Sequence, residues 1–286
     1  MKGILKRFLG ISILLWCFLG SFAQLNSNIT RYSTEDGLSH DGVLCITKDR
    51  DGFMWFGTFD GINRFDGHNF VVYKSRPGDT SNLLSNKIKS IVEDKIGYLW
   101  IQTFDHKIYR FDKKKEQFAA ISDGHFKHLF NDQVVVDEMI ADDENGIWLR
   151  TQAQGLYYVF NKTSGEPVVQ HYGKSEGGSF RINGDIPQFI YQAGGGKIWI
   201  GTEGGLNCVR TVGDRKYRRV AFLPSVEKLL ATHAFSCFTA KNYRLYFGTE
   251  NGEILIYNQS EKTFQLKNIF SGNSFNAMCY AKTGNL

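Results

Sequence analysis

Apolar residues fall into short runs that are separated by turns rich in glycine and aspartate. The clearest stretch holds four such runs, at residues 43–47, 54–58, 62–65 and 70–73. Asp-Gly pairs between apolar runs favour tight turns, because glycine adopts the positive φ angles that these turns need. The pattern therefore predicts four consecutive antiparallel strands. Aromatic residues make up 14% of the chain, which agrees with a strand-rich fold because flat side chains pack well on pleated surfaces.

This four-strand unit recurs along the chain, marked each time by an aromatic anchor in its second strand. The anchors are Trp55, Trp100, Trp148, Trp199 and Tyr246, at intervals of 45, 48, 51 and 47 residues. A strand-rich repeat of about 40 to 50 residues with an aromatic anchor is typical of β-propeller blades. Runs that are apolar on both faces, such as 134–136, indicate sheets that are buried on both sides. A β-sandwich is the alternative fold, but it does not explain the recurring anchor, which we expect to pack between blades.

We predict an all-β propeller of four-stranded antiparallel blades, with five blades and the start of a sixth. The blades are expected at 43–73, 88–118, 134–172, 186–222 and 234–266, and a sixth inner strand at 275–281. Residues 29–32 resemble the outer strand of a blade. We therefore expect an incomplete sequence and an open ring in which that strand lacks its partner. One short helical turn is expected at 225–233.

The first 23 residues have the pattern of a secretory signal peptide. Lys2, Lys6 and Arg7 precede an apolar run at 8–22, and Ser21 and Ala23 supply the small residues that a cleavage site needs. A membrane anchor is the alternative, but this run has 15 residues, fewer than the roughly 20 that a spanning helix requires. We expect residues 24–286 to be exported, to the periplasm or outside the cell.

Charge and cysteine content narrow the classes of partner. The formal net charge of +5 falls to +2 once the three basic residues of the signal are removed, which gives no electrostatic basis for binding nucleic acid. The remaining cysteines are far apart in apolar runs, so we expect free buried thiols. They are Cys45, Cys208, Cys237 and Cys279. Metal-binding cysteine spacings are lacking, and we expect no metal and no cofactor.

Two short motifs resemble ligand loops but fit turns better. Asp49-x-Asp51-Gly52 begins like a calcium loop but lacks the remaining ligands. The glycine run before Lys197 resembles a phosphate loop but lacks the following serine or threonine. The sequence also lacks the hydrolase and zinc-protease motifs. We therefore expect this chain to have no catalytic activity.

The first unit resembles the opening of the two-component regulator propeller family. The resemblance rests on Gly37-Leu-Ser39, Asp51-Gly-Phe-Met-Trp55-Phe-Gly-Thr58 and Asp60-Gly-Ile-Asn-Arg-Phe-Asp66-Gly67. Such propellers form the periplasmic half of hybrid sensor histidine kinases, and many sense oligosaccharides released from complex glycans. The resemblance thus implies a periplasmic sensor that belongs to a full-length receptor anchored in the inner membrane. The implied partners are an oligosaccharide or other small ligand, and the remaining blades and the membrane-anchored kinase of the same receptor. A homodimer is a further expectation.

A ligand site is expected at the turns between the second and third strands of the blades, which should emerge on one face near the propeller axis. A ring of polar groups around a concave mouth can bind a small ligand. The candidate residues are Asp60, Asp105, His106, Gln152, Glu203 and Glu250. A secreted propeller enzyme and a protein-binding scaffold remain the alternative functions, and the missing catalytic motifs count against the enzyme.

Overall fold

The computed structural model describes residues 29–75, 78, 83–121, 134–161, 167–174, 181–212, 217–270 and 272–279. The chain divides into two units, Met1–Ser33 and Thr34–Leu286. In the first unit the description begins at residue 29, so the predicted signal peptide lies outside the described residues. Among the helices of the described part, none has both the length and the apolar character needed to cross a membrane.

The described residues of the second unit form five antiparallel sheets, each of four strands that follow one another along the chain. The first sheet is β1 (Val43–Lys48), β2 (Met54–Thr58), β3 (Gly61–Phe65) and β4 (Phe70–Tyr73). The second sheet is β5 (Ile88–Glu93), β6 (Leu99–Thr103), β7 (Ile108–Asp112) and β8 (Gln117–Ala120). The third is β9 (Val136–Ala141), β10 (Gly146–Thr151), β11 (Leu156–Asn161) and β12 (Pro167–Tyr172), and the fourth is β13 (Pro187–Ala193), β14 (Lys197–Thr202), β15 (Gly205–Thr211) and β16 (Tyr217–Arg219). The fifth is β17 (Phe235–Lys241), β18 (Arg244–Thr249), β19 (Glu253–Asn258) and β20 (Thr263–Asn268). The predicted fold class is confirmed, and we call these sheets blades one to five.

The blades match one another even in an irregularity of the inner strand. In every blade the register shifts between the first and third residues of that strand, opposite the end of the second strand. Such a bulge turns the extra side chain away from its regular direction. In blade two the extra residue is Lys89, whose Nζ donates to the carbonyl of Val136 in blade three at 3.3 Å.

Each tryptophan anchor is buried between its own blade and the next. Trp55 packs edge-on to Phe111 of blade two, with ring centroids 5.8 Å apart. Trp148 meets Tyr217 of blade four at 4.9 Å, and Trp199 lies against blade five. Trp100 is in the cluster that joins blades two and three. None of the four is more than 3% exposed, as expected for side chains that fill the space between stacked sheets.

The second position after the anchor also faces the next blade. In blade one this is Gly57, where a Cβ would lie 2.6 Å from the side chain of Ile88, so only glycine fits. In blades two and three the equivalent residues are larger and bond the next inner strand instead: Gln102 donates to the carbonyl of Val136, and Arg150 donates to that of Pro187 at 3.0 Å. Loss of glycine at these positions therefore adds a link between blades.

The two strand-like segments at the ends of the described part form no strand in the structure. Residues 29–32 and 273–279 belong to no strand, and residues 280 and 281 lie outside the described part. A segment needs a neighbouring strand to form a strand of its own, and in the described part of the chain neither segment is paired with one. Phe275 nevertheless takes the place that Ile88 has beside blade one. It lies next to Gly248, and its carbonyl accepts a hydrogen bond from Ser236, the bulged residue of blade five.

The connection from blade four to blade five contains a helix. The predicted helical turn is helix α1 (Pro224–Ala231), and its Leu230 is buried against blades four and five.

Cys208 and Cys237 are buried free thiols, and burial raises the pKa of Cys208 to about 12. The expectation of burial is wrong for Cys279, which is exposed because no completed strand encloses it.

Candidate functional site

The turn after the second strand is built around a threonine in every blade. These threonines are Thr58, Thr103, Thr151, Thr202 and Thr249, and all are fully buried. In blade one, for example, the hydroxyl of Thr58 donates to the carbonyl of Gly61 at 3.0 Å and accepts the N–H of Asp60 at 3.0 Å. The hydroxyl thus fixes the turn, so the residues that follow it hold equivalent places. We call this side of the blades the threonine edge.

All six predicted site residues lie at the threonine edge, and several are tied to their own structure. Asp60 accepts hydrogen bonds from Lys74 at 2.5 Å and from the amide of Asn86 at 3.1 Å. The backbone N–H of Gly61 also donates to the carbonyl of Asn86 at 2.7 Å. Because Asn86 lies two residues before the inner strand of blade two, Asp60 helps to hold blades one and two together. Its carboxylate is still about two-fifths exposed.

Glu203 and Gln152 are also engaged. The carboxylate of Glu203 accepts the backbone N–H groups of Asp185 and Ile186, each at 3.0 Å, which shapes the loop before blade four. The amide of Gln152 donates to Asp137 at 3.1 Å. Both residues are exposed, so they can still contact a ligand, but some of their hydrogen-bonding groups are already engaged within the fold.

The remaining three residues are freer at the surface. Asp105 accepts a hydrogen bond from the hydroxyl of Thr103 and is exposed. His106 has a positive φ of 64° and is exposed, which fits the turn position predicted for it. Glu250 is exposed at the equivalent turn of blade five. The predicted ring of polar groups therefore consists of one residue or pair per blade at the same edge.

Comparison with known proteins agrees with this repeated geometry. A family model described as "Two component regulator propeller" matches residues 37–60 and 82–105. These are corresponding parts of blades one and two, each running from the loop before the inner strand to the threonine edge.

In these parts of blades one and two, the chain matches the two-component regulator propeller family. It is also similar to histidine kinase P4 of Formosa agariphila, with 40% identity over 81 residues, which cover 27% of this chain and 6% of that protein.

Solved propellers give the same fold. The extracellular domain of a hybrid two-component system from B. thetaiotaomicron superposes with a TM-score of 0.55 at 24% identity, covering 85% of this chain and 32% of that one. PorZ, a surface component of the type-IX secretion system of Porphyromonas gingivalis, gives 0.52 at 12% identity, with 77% and 32% covered. The chain therefore spans about a third of each of these two solved chains.

The sequence reasoning missed three residues at the threonine edge. Phe59 and Phe104 follow the threonines of blades one and two, are largely exposed, and lie with ring centroids 6.4 Å apart. His40 packs edge-on against Phe59 at 5.6 Å. The signal that could have found the pair is the repeated tripeptide Thr-Phe-Asp at 58–60 and 103–105.

The opposite edge of blades one and two holds a cleft of about 380 Å³. A group of three carboxylates beside it, Asp49, Asp51 and Glu93, has ligand atoms within 4.8 Å of one another. The ammonium of Lys113 lies among them, at 3.0 Å from Asp49 and 2.7 Å from each of the other two. A lysine therefore takes the place that a cation would need, which fits the interpretation of residues 49–52 as a turn.

These contacts shift two pKa values. Burial alone would raise the pKa of Asp49, but hydrogen bonds from the Trp55 indole and from Lys113 outweigh it and hold that pKa below its ordinary value. Burial would likewise lower the pKa of Lys113, but the three carboxylates raise it. Both groups are therefore charged at neutral pH, which suits a link between blades better than proton transfer.

Proposed function

We propose that this regulator propeller is the ligand-sensing region of a two-component receptor, placed in the periplasm by a signal peptide. In this proposal the ligand is an oligosaccharide derived from a glycan, and the signal passes through the inner membrane to a kinase elsewhere in the same receptor. The observation that carries the proposal is the match of blades one and two to regulator propellers. The names of the similar proteins, a histidine kinase and the extracellular domain of a hybrid two-component system, support it.

The threonine edge is the proposed ligand site. Its exposed carboxylates, amide and imidazole can accept and donate hydrogen bonds to hydroxyl groups, which is what recognition of a sugar requires. Asp105, His106 and Glu250 are the leading contacts because their side chains are exposed. Asp60 and Glu203 also hold loops in place, so a change there would alter the shape of the site as well as its polarity.

Two measurements test the proposal. The gene sequence after codon 286 should encode a membrane helix and histidine kinase motifs; closure of a propeller followed by a stop codon would instead favour a secreted protein. In the bacterium, deletion of codons 34–279 in frame should abolish the transcriptional response to the polysaccharide that induces neighbouring genes. An unchanged response in that strain would refute a sensing role.

A further inference from the structure

Two phenylalanines interrupt the polar character of the threonine edge. The side chains of Phe59 and Phe104 are 43% and 46% exposed. Their centroids are 6.4 Å apart and their planes differ by 32°, so the two rings form a nearly continuous apolar surface that spans blades one and two.

The surroundings hold Phe59 in place. Its backbone N–H donates to the carbonyl of Gly42 at 3.4 Å, and its ring lies so close to Gly42 that a Cβ there would be 2.7 Å from it. The imidazole of His40 meets the ring edge-on, and its Nδ1 accepts the N–H of Gly42 at 2.8 Å. This bond leaves Nε2 of neutral His40 as a donor beside the aromatic surface.

The blade itself does not require these rings. The equivalent position after the threonine is polar in the other blades, where Gln152, Glu203 and Glu250 stand. The fold therefore forms equally well with a polar residue at this turn. An exposed phenyl ring forgoes the stabilisation that its burial would give, so the pair is explained better by something that covers it.

We infer that Phe59 and Phe104 form a platform that stacks on the apolar face of a sugar ring. A phenyl side chain buries roughly 150–250 Å² in full, so two half-exposed rings offer far less than the roughly 800 Å² per partner of a stable protein interface. A small ligand fits this area. A sugar ring presents C–H groups on its face, which suit phenyl rings, and hydroxyls at its rim, which suit Asp105 and the Nε2–H of His40. The inference rests on the proposed function and names the contact that recognises its ligand.

Calorimetric titration of the purified chain tests the platform. The probes are cellohexaose, xylohexaose, laminarihexaose, mannohexaose and hexagalacturonate. We expect at least one to bind, with its affinity reduced about tenfold or more by F104A and by F59A, a factor of the size that one aromatic ring contributes when a nucleic-acid base stacks on it. F104W, which keeps an aromatic ring at this position, should bind the same hexaose, unlike F104A. The matched control is Y243A, which removes an aromatic side chain that is 77% exposed at a turn of the opposite edge.

The outcomes separate the platform from the proposed function. Wild-type affinity of a bound hexaose for both F59A and F104A would overturn the platform while leaving the receptor role intact. Binding by none of the five probes, or an equal loss in Y243A, would also overturn it. The receptor role is judged independently by the transcriptional response of the deletion strain.

Discussion

The indole N–H of Trp100 donates to the carboxylate of Asp94 over 2.9 Å, and both residues are buried. The second oxygen of Asp94 accepts the backbone N–H groups of Ile96 and Tyr98 at 3.0 and 2.9 Å, so this one side chain joins the turn to the anchor. The same bond joins Trp55 to Asp49 at 2.8 Å in blade one.

We predict that D94A lowers the free energy of unfolding by about 2–3 kcal/mol, because it leaves a buried indole N–H and two turn N–H groups without an acceptor. Urea denaturation followed by tryptophan fluorescence measures this loss. D143A is the control: it removes an exposed ion pair with Lys95, and such pairs contribute about 0–1 kcal/mol. Equal midpoints for the two variants would contradict the role of Asp94.

Blade four lacks the carboxylate of this arrangement. Ala193 stands at the position of Asp94, and the indole N–H of Trp199 is buried without a partner. We predict that A193D raises the free energy of unfolding by about 1 kcal/mol by supplying the missing acceptor. The control is A240D in blade five, where the anchor is Tyr246 and offers no indole N–H. A gain in both variants, or a loss in A193D, would contradict the explanation.

The repeat itself could be predicted from the sequence because the strands and turns of each blade lie in one continuous segment of the chain. The spacing of Trp55, Trp100, Trp148 and Trp199 and the turns between apolar runs specify strands, and stacked four-stranded sheets are the arrangement that buries both faces of those strands. Only the terminal segments failed. Residues 29–32 and 275–279 have strand-like patterns, but a strand also needs a neighbour, and a pattern along one segment cannot supply it.

The candidate site was less accessible to sequence reasoning. The repeated turn after the second strand placed Asp105 and Glu250 at one edge. The sequence did not show that the carboxylate of Glu203 would accept hydrogen bonds from two backbone N–H groups. Those partners come from a loop 17 and 18 residues earlier in the chain. Exposure of Phe59 was missed because apolar residues in a strand-rich chain are normally assigned to the core.

Lys113 should act as a pH-dependent link between blades one and two. Because the pKa of Asp49 is lowered in the folded chain, its stabilising effect is present above its ordinary pKa and is lost as the pH falls through the folded value. The raised pKa of Lys113 keeps its contribution intact throughout the neutral range. We predict that K113M costs about 2–3 kcal/mol at neutral pH, since it removes the cation from among three carboxylates and leaves them only weaker partners, such as Arg50 for Glu93.

The cost of K113M should shrink as the pH falls to about 3, where the carboxylates take up protons. Urea denaturation at a series of pH values measures this dependence. K114M is the matched control, because the neighbouring lysine forms none of the ion pairs that Lys113 makes to Asp49, Asp51 and Glu93. A cost of K113M that stays constant from neutral to acid pH would show that the ion pairs are not its source.

An anchor that packs against a following blade should contribute more to the free energy of unfolding than Tyr246, the anchor of blade five. Trp199 is fully buried against blade five, whereas Tyr246 is only partly buried. We predict that W199A costs about 3–5 kcal/mol and that Y246A costs less than half as much. Chemical denaturation of both variants checks this difference; if W199A is too unstable to purify, W199F supplies a milder comparison with Y246F. Equal costs would contradict the stacking of successive blades.

The most direct test of the sensor role is kinase autophosphorylation in membranes that contain the full receptor. We predict that a hexaose bound by the purified chain changes incorporation of labelled phosphate severalfold, and that deletion of codons 34–279 removes this response while the kinase remains able to phosphorylate itself. Phosphorylation that responds to the sugar equally with and without this segment would contradict the account.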